Sequence, residues 1–451
     1  MGTYNKSFVY FICLVSAMGG LLFGYDWVVI GGAKIFYEQY FGIAGDPAMQ
    51  GPAMSIALAG CLIGALTAGT LADRLGRKPL LLISAFIFAV TAYGTGAFDH
   101  FQGFLVVRFL GGIAIGIASG LSPMYIAEVA PTSVRGRLVS LNQLTIVIGI
   151  LAAQVVNWLL VSDDPVWNEQ MAWRWMFWAA AFPAVAFLLL AVFIPESPRW
   201  LAMKGYRERA LRTLEHIGGQ EYAADEMLAF DEAEARQQSQ GGLRLLFSHP
   251  YRRVLLIGIV VAMFQQWCGT NVIFNYAQEI FQSAGYDVDN TFINIVVTGI
   301  ANLVFTFVAI YTVDRLGRRV LMLLGAGGLA GIYAILGLCY YLEVSGVLMV
   351  VLVVMAIACY AMSLGPVTWV LLSEIFPNKV RAVAVATGTF ALWVASCILT
   401  YTFPFLNTFL GTSGTFWIYA AICTLGFVFF WMRLPETKGK SLEQLEDELV
   451  K

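Results

Sequence analysis

Asp26, in FGYDWV, and Arg108, in VVRFLGG, each stand alone as a charge inside a long apolar run. An ionisable side chain buried in such a run is expensive, and by default it marks function, with its partner to be named. A nearby guanidinium favours the carboxylate, whereas burial favours the neutral acid. The protonation of an acid under these opposed pulls follows the state of the cavity around it, which is the property a proton-coupling site needs. Amides form a second group: Gln143, Gln265, Gln266, Asn271 and Asn302 also fall inside apolar runs. A lone amide there can serve as hydrogen-bonding glue between helices. Gln265, Gln266 and Asn271 are harder to explain that way. At about 100° per residue they cannot all face one surface unless the helix is distorted, and Gly269 lies between them to permit it.

The elements that must hold these groups follow from composition. Charged residues are 12% of the 451 and hydrophobic residues 59%, too little polar surface for a water-soluble body of this length. Twelve runs are long enough to cross a bilayer, among them residues 8 to 30, 101 to 127, 171 to 194, 254 to 278, 344 to 373, 382 to 410 and 411 to 432. Asp26, Arg108 and Arg174 are the charges expected inside them, with Arg174 near a helix end and able to snorkel to water. The first run is too long for the core of a signal peptide and is read as a retained helix. Of 27 Lys and Arg residues, 24 fall in the termini and the loops on one side, while Lys34 is placed in an opposite loop. Both termini are therefore expected in the cytoplasm. On this topology the first span runs outward and the fourth inward, so Asp26 and Arg108 both lie in the outer half and can meet.

Residues 196–253 break the pattern with 18 charges and helix-forming strings such as YRERALRTLEHI, and read as a solvated helical linker. The expected organisation is residues 1–195 as one set of six spans, 196–253 as linker, 254–433 as a second set of six, and 434–451 as a tail. Ser441 and Gln444 fit a capping box for a short tail helix. The seven cysteines fall in spans without metal-ligand spacing and read as packing residues. No nucleophile–base pair, phosphate loop or metal cluster suggests an enzyme, and no cofactor or nucleic-acid partner is implied. Glycine-rich strings such as GGIAIGIASG predict close helix packing.

The chain also repeats itself. DRLGRK at 73 to 78 returns as DRLGRR at 314 to 319, APTSVRG at 130 is echoed by FPNKVRA at 376, and PESPRW at 195 by PETKGK at 435. Three landmarks with nearly one offset indicate two related halves. Together with QQWCGTN in the seventh span, these motifs resemble the sugar porter family of the major facilitator superfamily, most of all its proton-coupled xylose and monosaccharide symporters.

The resemblance implies an all-α membrane fold of twelve transmembrane helices in two six-helix bundles, joined by the cytoplasmic linker and opening alternately to either side. It implies a monosaccharide, pentose or hexose, as substrate. A sugar site needs amides that donate and accept, plus an aromatic plane. The matching positions are Gln143, Gln265, Gln266, Asn271, Asn302 and Trp369, with Phe23 and Trp393 lining the same cavity. Ile150, Asn275 and Leu392 depart from the xylose symporter pattern and make the site less polar on two walls. An acid at Asp26 marks proton symporters in the family, where uniporters carry an amide. Asp73, Arg74, Arg77, Glu128 and Arg135 in one half, and Asp314, Arg315, Arg318, Glu374 and Arg381 in the other, match the salt-bridged gate that closes the cavity on the cytoplasmic side. A facilitative uniporter and a non-transporting sugar sensor are the alternatives. The expected setting is a cell membrane, a bacterial inner membrane, with the protein acting as a monomer.

Overall fold

The computed structural model describes residues 4–237, 246–377 and 380–438, and the side chains of these save 232–237, 249, 250, 314, 373 and 382. Asp314's side chain, Ser441 and Gln444 therefore lie outside the described residues. The architecture is all helical among the described residues. In the first half α1 is Lys6–Phe41, α2 Pro47–Leu75, α3 Arg77–Ala97, α4 Phe101–Val129, α5 Arg135–Leu160 and α6 Pro165–Ala191, the last with a π-helical turn at Asn168–Ala172. The linker forms α7 Pro198–Met203 and α8 Arg207–Gln237. The second half contains α9 His249–Trp267, α10 Thr270–Asn275, α11 Ala277–Ser283, α12 Val288–Leu316, α13 Arg318–Tyr341, α14 Val347–Met362, α15 Leu364–Glu374 and α16 Arg381–Arg433.

Among the described residues, eleven helical stretches are long and apolar enough to cross a membrane. The last is 53 residues long but breaks at Gly411, whose φ of 68° and ψ of 175° end one span and begin the next. The division expected between residues 410 and 411 is therefore present, which makes twelve spans among the described residues. Two spans are interrupted where chemistry was expected. The seventh stops at Trp267 and resumes at Thr270 through Gly269, with φ of 87°. A Cβ on Gly269 would lie 2.9 Å from the Tyr419 ring, so both backbone and space demand glycine. The tenth breaks at Ser363, with φ −127° and ψ −88°. Gly365 and Pro366 lie in the first turn of α15, where proline is tolerated.

Three expectations need correction. The first helix does not end with its apolar run at Ile30. The following GGAKIFYEQYF stays helical because Ala33, Phe36 and Tyr37 bury one face at helical spacing. Lys34 is consequently a buried helical residue and not a loop marker, and Glu38 is buried one turn beyond it. The charges within the spans are thus more than the three expected. Arg174 does not snorkel: it is buried, donating to the Gly96 carbonyl at 2.7 Å and pairing with Asp99 at 2.7 Å.

The chain forms two compact units. One comprises Met1–Val29, Ile56–Ala153 and Arg174–Gln240, the other Ile30–Ser55, Gln154–Trp173 and Gly241–Lys451. Within the first, α2 and α4 approach through glycine: a Cβ on Gly112 would lie 2.0 Å from the Ala57 carbonyl oxygen, and one on Gly116 2.2 Å from that of Cys61. Contact of this kind rests on van der Waals packing, since lipid supplies no hydrophobic drive between helices. The linker has a small core of its own, built from Leu201, Ala210, Leu214, Ala223 and Met227.

Candidate functional site

Asp26 and Arg108 meet. Arg108 Nη1 donates to Asp26 Oδ1 at 2.5 Å, and the guanidinium lies 5.3 Å from the centre of the Phe177 ring. The two side chains are 12% and 4% exposed, so the pair is screened from water and each charge depends on the other. Removing one member of such a pair leaves an uncompensated buried charge. Nearby on α1, the Tyr25 hydroxyl donates to the Met176 carbonyl at 3.0 Å and anchors this stretch.

In the second unit the amides form a relay. Gln265 Nε2 donates to the Tyr360 hydroxyl at 2.8 Å, and Gln266 Nε2 to Gln265 Oε1 at 2.6 Å. Asn271 Nδ2 donates in turn to Gln266 Oε1. The three amides are 4% to 6% exposed. The break at Gly269 brings Asn271 back to Gln266, five residues earlier, which a continuous helix would not allow. Asn275 Oδ1, a little further on, is buried and accepts no hydrogen bond among the described residues. A buried acceptor in that condition calls for a donor. Asn302 and Trp393 are buried in the same unit, whereas Trp369 is 42% exposed. Phe23, edge-on to Trp27 at 5.5 Å, and the half-buried Gln143 belong to the first unit.

The repeated loops build the same arrangement twice. In the first unit, Arg77 grips Glu128 through two bonds of 2.9 and 2.8 Å and reaches Asp73 at 3.2 Å. In the second, Arg318 pairs with Glu374 at 3.1 Å. Each arginine also donates to the carbonyl five residues before it, Ala72 and Val313. Arg135 and Arg381 repeat that step toward the carbonyls of Ala130 and Phe376. Arg74 and Arg315 are exposed. Two further acids went unread in the sequence. Glu196 accepts from the backbone N–H groups of Arg77 and Lys78 at 2.9 and 3.2 Å, and Glu436 from those of Arg318 and Arg319 at 3.0 and 3.1 Å. Each carboxylate caps the start of a helix, where orphan donors and the helix dipole favour negative charge. Burial pushes the Glu196 carboxyl above the usual carboxylate range, and the backbone donors pull it back. The signal was present in the PESP and PETK repeat, which placed one glutamate in each half beside these loops.

The family described as Sugar (and other) transporter matches residues 12–449. The chain belongs to the sugar transporter family. This sugar transporter is 37% identical to the D-xylose-proton symporter of Escherichia coli K12 over 98% of its own length and 96% of the relative. It is 36% identical to the arabinose-proton symporter of Bacillus subtilis, covering 100% of itself and 97% of that protein. Among solved structures it is similar to the inward open conformation of the xylose transporter XylE from E. coli, with a TM-score of 0.88 and 35% identity over 98% of this chain and 100% of that one. The same transporter bound to 6-bromo-6-deoxy-D-glucose gives a TM-score of 0.83 at 36% identity, over 99% and 100% of the two chains. The major facilitator fold expected from the paired motifs is thus the fold of this multi-pass membrane protein.

Proposed function

We propose that this sugar transporter imports a monosaccharide, a pentose or hexose, together with a proton by alternating access. The observation that carries the reading is the buried Asp26–Arg108 pair, a titratable acid held against a fixed cation inside a span. A proton on Asp26 releases Arg108, and loss of the proton restores the pair. The relatives named for proton symport with xylose and arabinose support this assignment. The sugar is held by Gln265, Gln266 and Asn271, whose relay supplies donors and acceptors in fixed order, with Asn302 and the aromatic planes of Trp369 and Trp393 in the same unit; Gln143 and Phe23 are the sugar candidates of the first unit. Asn275 offers a buried acceptor to a sugar hydroxyl.

The paired clusters of Arg77 with Glu128 and Arg318 with Glu374 act as the cytoplasmic gate, with Asp73, Arg74, Arg135, Asp314, Arg315 and Arg381 around them. Buried ion pairs contribute little net stability but specify one arrangement, which suits a gate that must engage in register. Termini on the cytoplasmic face of a bacterial inner membrane, and action as a monomer, complete the reading. Facilitated diffusion is the second reading, favoured by 34% identity to the glucose facilitated diffusion protein of Zymomonas mobilis.

The two readings separate in proteoliposomes given radiolabelled xylose, arabinose or glucose. A membrane potential acting on one symported proton supplies about 2.3 kcal/mol per 100 mV. At 1.36 kcal/mol per tenfold this sustains about fiftyfold accumulation. Symport predicts internal sugar far above the external level when the gradient is inward, and collapse to equality when it is removed. Equality under both conditions identifies a facilitator.

A further inference from the structure

A charged cluster distinct from the sites above lies within the second unit, where the end of α1 meets α11. Lys34 Nζ sits 2.9 Å from Glu38 Oε1, one turn along α1, and bonds to Glu279 Oε1 on α11. Glu38 Oε2 accepts from Gln50 Nε2 at 2.8 Å. The side chains of Lys34 and Glu38 are 6% and 7% exposed and that of Glu279 is 29% exposed. The cluster borders a cavity of about 200 Å³ that Gln282, Phe403 and Asn407 also line.

The ion pairs are the outer part of a longer grip. Gln278 lays its amide along the backbone of α1, with Nε2 donating to the Gly32 carbonyl at 2.8 Å and Oε1 accepting from the Ile35 N–H at 3.3 Å. Gly31 lets α1 lie directly on the end of α10, since a Cβ there would stand 2.8 Å from the Asn275 carbonyl oxygen and 2.9 Å from that of Phe274. The Lys34 ammonium is 5.4 Å from the centre of the Tyr276 ring. Residues 31 to 38 of α1 thus bind residues 274 to 279. α11 is 7 residues long and is preceded by a break at Tyr276, with φ −124° and ψ 26°. A helix so short does not hold itself, so what grips it sets its place.

Two carboxylates around one ammonium are a poor source of stability when buried, but they admit only one register of α11 on α1. α1 carries Asp26 about two turns before Lys34, and the α10–α11 segment carries Asn271 about two turns before Glu279. We propose that Lys34, Glu38, Gln278 and Glu279 are positioning residues for coupled transport. They strap the segment that holds Asn271 to the end of the helix that holds Asp26. The proposal rests on the assignment of Asp26 and the amides above. A strap that is made and broken in each cycle governs turnover more than affinity.

The test compares Lys34→Gln, Glu279→Gln and the charge exchange Lys34→Glu/Glu279→Lys, which keeps two carboxylates around one lysine. Hydrogen exchange is followed at residues 277–283 in lipid nanodiscs, and gradient-driven uptake and counterflow in proteoliposomes. Each single variant is expected to speed amide exchange in that segment about tenfold and to lower kcat about tenfold, with KM for counterflow within about threefold of wild type. The charge exchange is expected to recover most of both losses. Gln278→Ala leaves no buried charge behind and should move both readouts in the same direction, so it serves if Lys34→Gln fails to fold. Wild-type amide exchange in the single variants overturns the strap. Faster exchange with unchanged turnover overturns its part in transport, and a charge exchange as impaired as the singles overturns the ion pair as its basis. Amide exchange needs neither sugar nor gradient, so it stands apart from the symport reading, which fails if Asp26→Asn still concentrates sugar.

Discussion

Asp26→Asn is expected to abolish accumulation while leaving exchange of sugar across the membrane. The substitution keeps the shape of the side chain and an oxygen for Arg108 Nη1, which lies 2.5 Å from Asp26 Oδ1, but removes the acid of the pair. Without a carried proton the gradient does no work on the sugar. The internal level should fall from about fiftyfold above the external one, the amount 100 mV sustains for one proton, to equality. Counterflow, in which labelled sugar enters against unlabelled sugar leaving, does not need the proton to turn over and should persist. Arg108 loses its counter-charge in a site where it is 4% exposed, so the variant should also unfold at lower temperature. Retained accumulation in Asp26→Asn would place the coupling proton elsewhere.

Gln266→Ala is the second large effect. Gln266 is the middle of the relay, donating to Gln265 and accepting from Asn271. On the proposed sugar site its loss removes the N–H and the acceptor lone pair that the relay leaves for sugar, and leaves two buried neighbours without the partners that aim them. Each unsatisfied buried group costs about 1 to 3 kcal/mol. Affinity in counterflow should therefore fall about a hundredfold, roughly two steps of 1.4 kcal/mol. If the amides only glue helices, a bond of this kind is worth about 0.6 kcal/mol in a membrane protein. That predicts less than a threefold change in affinity, with the loss appearing in thermal stability instead. The two magnitudes are far enough apart for a single titration to decide.

Spans and their breaks were legible in the residues, because a bilayer demands apolar length and because a Gln–Gln–Asn spacing conflicts with a straight helix. That conflict located the distortion at Gly269, where φ is 87°. The partnership of Asp26 with Arg108 was legible from topology, since depth along two antiparallel helices fixes which charges meet. What stayed hidden depended on where a helix stops. Hydropathy ends α1 at Ile30, and only its continuation to Phe41 turns Lys34 and Glu38 from loop residues into a buried cluster. The spacing of four between them was the available sign, since such a pair shares a helix face. Arg174 was misread for a related reason: proximity to a helix end suggested water, but Gly96 and Asp99 supply partners from a neighbouring helix and loop. Glu196 and Glu436 were visible as a repeat, yet the backbone donors they cap come from loops more than a hundred residues away in the chain.

The central claim is that sugar and proton cross together, and the most direct measurement is the movement of protons when sugar alone is supplied. Proteoliposomes with no gradient, clamped at zero potential with potassium and valinomycin, are mixed with an excess of xylose, arabinose or glucose while the external pH is recorded. Proton symport predicts a sugar-dependent rise in external pH as protons enter, absent in liposomes containing Asp26→Asn. Downhill entry of labelled sugar with no change in external pH would contradict it.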